Sequence, residues 1–486
     1  MSSFAGLKRV HLIGICGTAM ASLAGMLKEQ GFDVRGSDQN VYPPMSEELA
    51  RQQIPCFSGY HEKNLEWKPD VVVIGNAISR GNPEVEKVLD EGIRYASLPE
   101  MVRECFLRGH HSIVVAGTHG KTTTTSLLAW IFECAGKKPN FLIGGIAQNF
   151  GRSFQLSSSD PFILEGDEYD TVFYDKGPKF LHYLPRTVLI NNIEFDHADI
   201  YANLEAVRLS FQRLVNIIPR NGLLVANASD PTVVDVSKAA FCRVQYFQLG
   251  QSALSGRVAS SRPVFWADKV SILAEGTSFA LMLGQQLVGE LFVPLFGDFN
   301  ASNAVAAAVV ALQHGISIEA VREALRTFLS VRRRMEVRGE AQGITVIDDF
   351  AHHPTAIRET LRGVKARFPG RRIWAVVEPR SATMRRSVYQ EDLVEALKQA
   401  DVSVIADLFS PEKVPVDQRL SPGDVVAALT KLGHSAHFIK SAEEIVSFYL
   451  PVARRGDVFV VFSNGAFENI HERLLSKLRS NAAPIE

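Results

Sequence analysis

The sequence predicts an α/β protein made of three parallel-sheet domains in series. Three observations predict it. The chain has 486 residues, and at about 100–200 residues per domain it requires roughly three cores. Short β-branched apolar runs alternate with amphipathic stretches of helical period, as parallel sheets with crossover helices require. Glycine and polar residues cluster just after the apolar runs, which places them beyond the carboxyl ends of strands, where open sheets bind ligands.

The first domain, residues 1–109, opens with the strand-like run Val10–Ile15, whose end overlaps the turn Gly14–Gly17, and a helix-like stretch, Met20–Gln30. Val71–Gly75 is a second strand, followed by Asn76, and Pro83–Glu91 is helix-like. The polar, basic segment Arg103–His111 marks the boundary to the second domain, 110–331. There Ile113–Gly117, Phe162–Leu164, Val188–Ile190 and Leu223–Val225 are continuously apolar, as strands buried on both faces must be. Residues from Gln251 to Val293 alternate more weakly and are read as an antiparallel excursion on the central sheet. The helical stretch Ala301–His314 precedes the densely charged Ser330–Gly339, which marks the boundary to the third domain, 332–486. That domain is assigned the strands Ile344–Ile347, Ile373–Val377, Val402–Ile405 and Val458–Phe462, with helix at Asp392–Gln399.

Composition narrows the function. With 46% hydrophobic and 22% charged residues the chain reads as a globular enzyme. A net charge of -1 sets up no global field toward nucleic acid or an anionic membrane. No secretory leader and no membrane-length apolar run is recognised, so a cytoplasmic location is expected. The five cysteines are scattered without a CxxC pair, which favours reduced thiols over a disulfide frame or a zinc site. Cys16 is read as a packing residue.

The chemistry is concentrated at "AGTHGKTTTT", Ala116–Thr125. The usual phosphate loop, GxxxxGK[ST], does not fit, because Val115 stands where its first glycine would be. A shorter form does fit: Gly117, Thr118, His119, Gly120, Lys121, Thr122. Glycines let backbone N–H groups turn toward phosphates, and the following helix presents its positive end. Lys121 is suited to β/γ-phosphates and the Thr122 hydroxyl to Mg²⁺. A magnesium-bound triphosphate needs further hard ligands. Two acidic loops after strands offer them: Glu165, Asp167, Glu168 and Asp170 in one, Glu194, Asp196 and His197 in the other.

A dinucleotide-dependent oxidoreductase is the first rival, since "GICGTAM" follows a strand and Asp38 lies about 20 residues on. Cys16 and Ala19 break the glycine pattern which that fingerprint requires. A non-catalytic nucleotide switch is the second rival, opposed by Glu168, His197 and the third-domain motifs.

Taken together, "GICGTAM" (14–20), "GTHGKTTTT" (117–125), "EGDEYD" (165–170), "NNIEFDHADIY" (191–201), "GDFNASNAVAA" (297–307), "RRRME" (332–336) and "DDFAHHPTAI" (348–357) resemble the motifs of the Mur ligase family, in its order and over nearly the whole chain. The resemblance implies a UDP-binding Rossmann-like domain, a central ATPase-type domain and a C-terminal Rossmann-like domain. It implies an ATP- and Mg²⁺-dependent amide ligase of peptidoglycan synthesis in the branch that uses UDP-N-acetylmuramate. The stretches 37–46, 75–83, 167–183 and 378–384 are similar to those of ligases that add the recycled tripeptide L-alanyl-γ-D-glutamyl-meso-diaminopimelate. The alternative within the branch is addition of L-alanine.

Residue by residue, the resemblance implies that Gly117, Thr118, His119, Gly120, Lys121, Thr122 and Thr123 hold the ATP phosphates. It places Thr122, Glu168 and His197 at magnesium, and Asn300 and Asn303 at adenine. Arg334 and Asp349 would close on the nucleotide, with His119 and His352 near the reacting groups. Lys121, His197, His352 and Arg334 are the implied catalytic residues. Gly17, Thr18, Ser37, Asp38 and Asn76 would hold the UDP part, and Arg380, Ser463 and Asn464 the incoming peptide. The basic linker Arg332–Arg334 is read as a hinge. The expected partners are small-molecule substrates, without nucleic acid or membrane, and the expected state is a monomer or weak homodimer. The chain departs from the family at Gly166 and Phe299. It has no lysine between Lys179 and Lys238, so the carbamylated lysine of several relatives is not expected.

Overall fold

A computed structural model describes residues 6–41, 45–250 and 263–480. Its strands form three main sheets. The first is five-stranded and parallel: β1 (Arg9–Ile13), β2 (Asp33–Asp38), β3 (Cys56–Ser58), β4 (Val71–Ile74) and β5 (Tyr95–Ser97), in the spatial order β3-β2-β1-β4-β5. The order reverses between β1 and β4, and this switch point opens a crevice at their carboxyl ends. After β5, a short helix runs into a π-helical turn, Arg103–Leu107, where Glu104 pairs with Arg103 and Arg108.

The central sheet has ten strands. They are β6 (His111–Ala116), β7 (Asn140–Ala147), β8 (Arg152–Gln155), β9 (Pro161–Gly166), β12 (Thr187–Ile190), β13 (Leu223–Asn227), β14 (Arg243–Leu249), β15 (Phe265–Leu273), β16 (Gly276–Leu283) and β17 (Gln286–Val293), in the order β17-β16-β15-β14-β13-β12-β6-β9-β7-β8. A small hairpin, β10 (Asp170–Val172) with β11 (Asp175–Pro178), stands apart. From β7 to β15 all neighbours are parallel, while β16 and β17 run antiparallel at one edge and β8 at the other. The antiparallel excursion expected after Gln251 is therefore β15–β17, and residues 251–262 lie outside the described residues. One sheet face packs on the helices Lys121–Cys134 and Asp298–Gln313. The second of these helices is alanine- and valine-rich and buried on nearly every side, as a helix enclosed by a core must be. The other sheet face, with helix Leu204–Asn216, shares a core with the first domain.

The third sheet is six-stranded, in the order β18-β19-β23-β20-β21-β22: β18 (Glu336–Ala341), β19 (Ile344–Asp349), β20 (Ile373–Val377), β21 (Val402–Ile405), β22 (Ser435–Phe438) and β23 (Val458–Phe462). It has a core on each face. The connection into it is conformationally tight. Ser330, Arg333 and Met335 all have left-handed backbones, with φ of 69°, 62° and 49°, each costing about 1–2 kcal/mol for a residue with a Cβ. Bonds from Gln148 N to Ser330 O (3.0 Å), Arg333 N to Glu336 Oε2 (2.8 Å) and Met335 N to Asp349 Oδ2 (2.8 Å) hold the strained backbone in place.

Candidate active site

β6 ends at Ala116, and the chain turns through Gly117 (φ 137°) and Gly120 (φ 82°) into helix Lys121–Cys134. No side chain caps this helix and no acid sits in its first turn, so its N-terminal N–H groups and positive end favour an anion. The loop is moored from the side by Asn192: its carbonyl accepts from Thr118 N at 3.0 Å and its Oδ1 from His119 N at 2.7 Å. Gly120 is required by its surroundings as well as by its φ, because a Cβ there would lie 2.5 Å from Asn303 Oδ1. Lys121 Nζ folds back to donate to Gly117 O (2.7 Å), Thr118 O (3.2 Å) and Glu168 Oε2 (2.8 Å). Burial works against its charge, but Glu168 and Asp167 hold the ammonium above its ordinary pKa.

The two acidic loops have separate partners. Glu165 accepts from Gly144 N (2.5 Å) and the Thr122 hydroxyl (3.1 Å), and burial pushes its carboxyl up. Asp167 pairs with Lys179 (2.6 Å), and Asp170 with Lys176 (2.6 Å). Glu168, with a side chain 1% exposed, lies between Lys121 and His197, whose Nε2 is 3.4 Å from Glu168 Oε1. Burial opposes charge on His197, but Glu168 and Asp196 outweigh it and push the imidazole up to about 9.

Ligand atoms of Asp167, Glu168 and His197 all lie within 4.8 Å of one another, and Glu168 Oε1 is buried without a hydrogen-bond partner. Two carboxylates and an imidazole suit a hard divalent cation. Holding one requires His197 to lose its proton. Of the sequence-predicted metal set, the structure brings together Glu168 and His197 and adds Asp167. Thr122 instead faces Glu165 and Arg334, whose guanidinium donates to its hydroxyl at 3.2 Å.

The third domain reaches this site through β19 and the helix after it. Asp349 is buried, accepts from Met335 N and Ala351 N, and is pushed up by burial against the pull of Arg334. The two adjacent histidines differ. His353 caps helix Pro354–Arg367: its Nδ1 accepts from Thr355 N (3.2 Å), so Nε2–H donates to Phe195 O (3.2 Å). Burial brings its pKa down to about 4. His352 Nδ1–H donates to Phe350 O (3.0 Å), which leaves Nε2 as the basic nitrogen, and burial lowers its pKa too. His352 is thus the one with a ring nitrogen to offer a reactant.

Glu194, read from the sequence as a candidate metal ligand, has other partners in the structure, and Thr355, Thr383 and Tyr389 join the site without a sequence signal. Glu194 of the central domain accepts from Thr355 (2.8 Å), lies 3.4 Å from His119, and is brought down to about 2 by these partners against burial. Tyr389 donates to Phe195 O, and Ala198 N to Thr383 (3.3 Å). The third domain therefore clasps the loop that carries His197. The doubled asparagine 191–192 was the available signal for the mooring of the phosphate loop. Asn191 Nδ2 donates to Thr124 (3.0 Å) and lies 3.5 Å from Asn303 Oδ1.

The remaining predicted residues divide into facing and inward groups. Gly17, Thr18 and Asn76 are exposed at the β1/β4 crevice. Asp38 shapes that loop by accepting from Cys16 N and Asn40 N, each at 2.9 Å. Ser37 is turned away: it is fully buried and its hydroxyl donates to Glu84 (2.6 Å), so only its main chain borders the crevice. Thr123, Asn300 and Asn303 are buried. Asn300 donates to Phe296 O (3.0 Å) and accepts from Asn303 (3.4 Å), so these side chains brace the start of their helix. Ser463 donates to Glu378, and Asn464 Oδ1 is buried without a hydrogen-bond partner. Arg380 lies beside them, as described below.

A nucleotide-type loop, a carboxylate–histidine cluster and a third domain closing on both define a multidomain nucleotide-dependent ligase. The comparisons agree. The Mur ligase family, catalytic domain, matches residues 9–110, the Mur ligase middle domain 115–311, and the Mur ligase, glutamate ligase domain, 333–465. The chain belongs to the Mur ligase family. It is 40% identical over 475 residues to the UDP-N-acetylmuramate–L-alanyl-γ-D-glutamyl-meso-2,6-diaminoheptandioate ligase of Escherichia coli K12, covering 98% of this chain and 99% of that one. It is 32% identical over 472 residues to the UDP-N-acetylmuramate–L-alanine ligase of Clostridium acetobutylicum, covering 97% and 98%. The crystal structure of a murein peptide ligase from Psychrobacter arcticus matches it with a TM-score of 0.74, over 98% of this chain and all of that one, at 36% identity.

Proposed function

We propose that this enzyme joins L-alanyl-γ-D-glutamyl-meso-diaminopimelate to UDP-N-acetylmuramate, converting ATP to ADP and phosphate, in the recycling of peptidoglycan. One observation carries the choice of acceptor: full-length identity is 40% to the tripeptide-adding relative and 32% to the L-alanine-adding one. The N-terminal domain, 1–109, would take the UDP-sugar at Gly17, Thr18, Asp38 and Asn76. The central domain, 110–331, would take ATP, and the third, 332–486, the peptide.

A carboxylate is a poor acyl donor. Transfer of the γ-phosphoryl group to the lactyl carboxylate gives an acyl phosphate, which the peptide α-amine attacks with loss of phosphate. The first step brings anions together, and in the second, negative charge builds on a tetrahedral intermediate before phosphate leaves. Lys121 and the helix N–H groups offset that repulsion at the phosphates. To do so, Lys121 exchanges its contacts with Gly117 O and Thr118 O for phosphate oxygens. Asp167, Glu168 and His197 would hold Mg²⁺, which supplies charge neutralisation at the transferring phosphoryl group. Arg334, already bonded to Thr122, ties the third domain to the phosphate loop. His352 Nε2 is the acceptor for the proton that the attacking amine must lose. The clasp on the loop Glu194–Ala198 excludes water from the acyl phosphate.

The test is ADP release with UDP-N-acetylmuramate, Mg²⁺ and ATP, comparing tripeptide with free L-alanine. Turnover that depends on the tripeptide supports the proposal. Turnover with L-alanine alone would assign the enzyme to the first step of stem-peptide synthesis instead.

A further inference from the structure

A peptide acceptor needs a surface to lie on, and two loops at the carboxyl ends of β20 and β21 form a shelf beside the site. They span residues 379–389 and 407–420. Backbone bonds join them, from Phe409 N to Pro379 O (3.1 Å) and from Leu420 N to Arg385 O (2.8 Å), and an isolated bridge pairs Arg386 with Arg419. Arg385 is buried and donates to the carbonyls of Ser381 (3.3 Å), Phe409 (3.2 Å) and Ser410 (2.8 Å). It is an internal brace. The inner end of the shelf touches the site itself, since Thr383 accepts from Ala198 N and Ser381 Oγ donates to His352 O (3.4 Å).

Besides the brace Arg385, and Arg419, whose Nε donates to Val414 O, the shelf carries Arg380 and Arg386. Arg380 lies 3.6 Å above the Phe409 ring, and its carboxylate neighbour Glu378 is at 3.4 Å. Stacking on the ring face leaves the in-plane donors of the fork able to bond, and one of them, Nη1, reaches Glu378. A Cβ at Gly465 would lie 2.1 Å from Arg380 Nε, so the guanidinium occupies this position only because residue 465 is glycine. Further out, Arg386 donates to the neutral amide of Gln418 and enters no ion pair among the described residues, and its Nε is shielded from solvent without a partner. Phe409, Val388 and Val416 expose 41%, 51% and 77% of their surface nearby. Buried or half-buried donors without an acceptor are costly unless a ligand supplies one.

We propose that Arg386 is a specificity-determining residue, which with Arg380 receives carboxylates of the acceptor peptide beyond its first residue while Phe409 supports the aliphatic chain between them. This rests on the tripeptide reading. L-Alanine carries a single carboxylate and would leave the outer arginine without a partner. The tripeptide carries further carboxylates on its second and third residues, joined by aliphatic carbons.

The test is steady-state kinetics of the full-length enzyme and its Arg386→Gln and Arg386→Lys variants with tripeptide, the dipeptide L-alanyl-D-glutamate, and L-alanine. Loss of one charge-assisted bond predicts a rise in tripeptide KM of about 10- to 100-fold in Arg386→Gln. Its kcat and its KM values for ATP and UDP-N-acetylmuramate stay near wild type, and Arg386→Lys recovers part of the loss. A tripeptide KM within about twofold of wild type overturns the proposal. So does a parallel rise in all three KM values, or a fall in melting temperature matching the loss, since either makes Arg386 structural. A wild-type enzyme that uses L-alanine and ignores the tripeptide overturns the functional reading itself, and is seen before any variant is made.

Discussion

Two glycines flank one helix, and the structure predicts opposite consequences for replacing them. Gly120 precedes Lys121–Cys134 and Gly136 follows it, both with left-handed backbones (φ 82° and 72°). At Gly136 a Cβ would have nothing within 4 Å, so alanine there carries only backbone strain, about 1 kcal/mol. At Gly120 the same Cβ would lie 2.5 Å from Asn303 Oδ1 and 3.1 Å from Asn191 Nδ2. Relief requires those side chains to move, and Asn191 would lose its bond to Thr124. One or two lost bonds added to the strain bring the cost to about 2–4 kcal/mol, concentrated in the phosphate loop. The assay is calorimetric titration of each variant with a non-hydrolysable ATP analogue, with UDP-N-acetylmuramate as a control for the first domain. Gly120→Ala is expected to weaken the ATP analogue at least about 30-fold and to bind UDP-N-acetylmuramate normally. Gly136→Ala is expected to lower the melting temperature by a few degrees and to bind both normally. Equal nucleotide affinities for the two variants would refute the reasoning.

Glu168→Gln removes the carboxylate shared by Lys121 and His197, and ADP release should fall by about 10²–10³ while calorimetry shows UDP-N-acetylmuramate affinity retained. Retained turnover would count against a role for the Asp167–Glu168–His197 cluster. Burial brings both His353 and His471 down to about 4. Both are neutral in the folded protein and would bind protons first in the unfolded chain. Their stabilising effect is therefore intact above about pH 6.5 and lost as pH falls toward 4, by up to about 3 kcal/mol each. Denaturant unfolding at pH 7, 6 and 5 should show this decline, and a flat profile would contradict it. Glu84 is fully buried and accepts from Ser37, Asn64, His11 and the His61 N–H, so Glu84→Ala should cost about 3–5 kcal/mol, read as a lower melting temperature with ATP affinity unchanged.

What is legible in the sequence is what local chemistry demands. Ile373–Val377, Val402–Ile405 and Val458–Phe462 are strands over those same residues, because strands buried on both faces are rich in β-branched and other apolar residues. Glycine, lysine and hydroxyls at 117–122 announce an anion-binding turn for the same reason. Strands that carry polar or small residues are harder to read: β7 contains Asn140, Gly144 and Gly145, and β14 contains Arg243, Gln245 and Gln248. The acidic run 165–170 shows where carboxylates gather but not how they divide among Thr122, Lys179, Lys121 and Lys176. The division depends on alternation of the strand, on the β10–β11 hairpin that brings Lys176 and Lys179 back, and on Lys121, 47 residues from Glu168. Least legible are the contacts between domains. Thr355 and Tyr389 look like ordinary helix-start residues until the fold sets them against Glu194 and Phe195.

The central claim is that ATP activates the lactyl carboxylate for attack by a peptide amine in preference to an amino acid. One reaction tests it most directly: UDP-N-acetylmuramate, ATP and Mg²⁺ with equimolar tripeptide and L-alanine, the products identified by mass. A predominant UDP-N-acetylmuramoyl-tripeptide, formed in step with ADP, is the predicted result. A predominant UDP-N-acetylmuramoyl-L-alanine would contradict it.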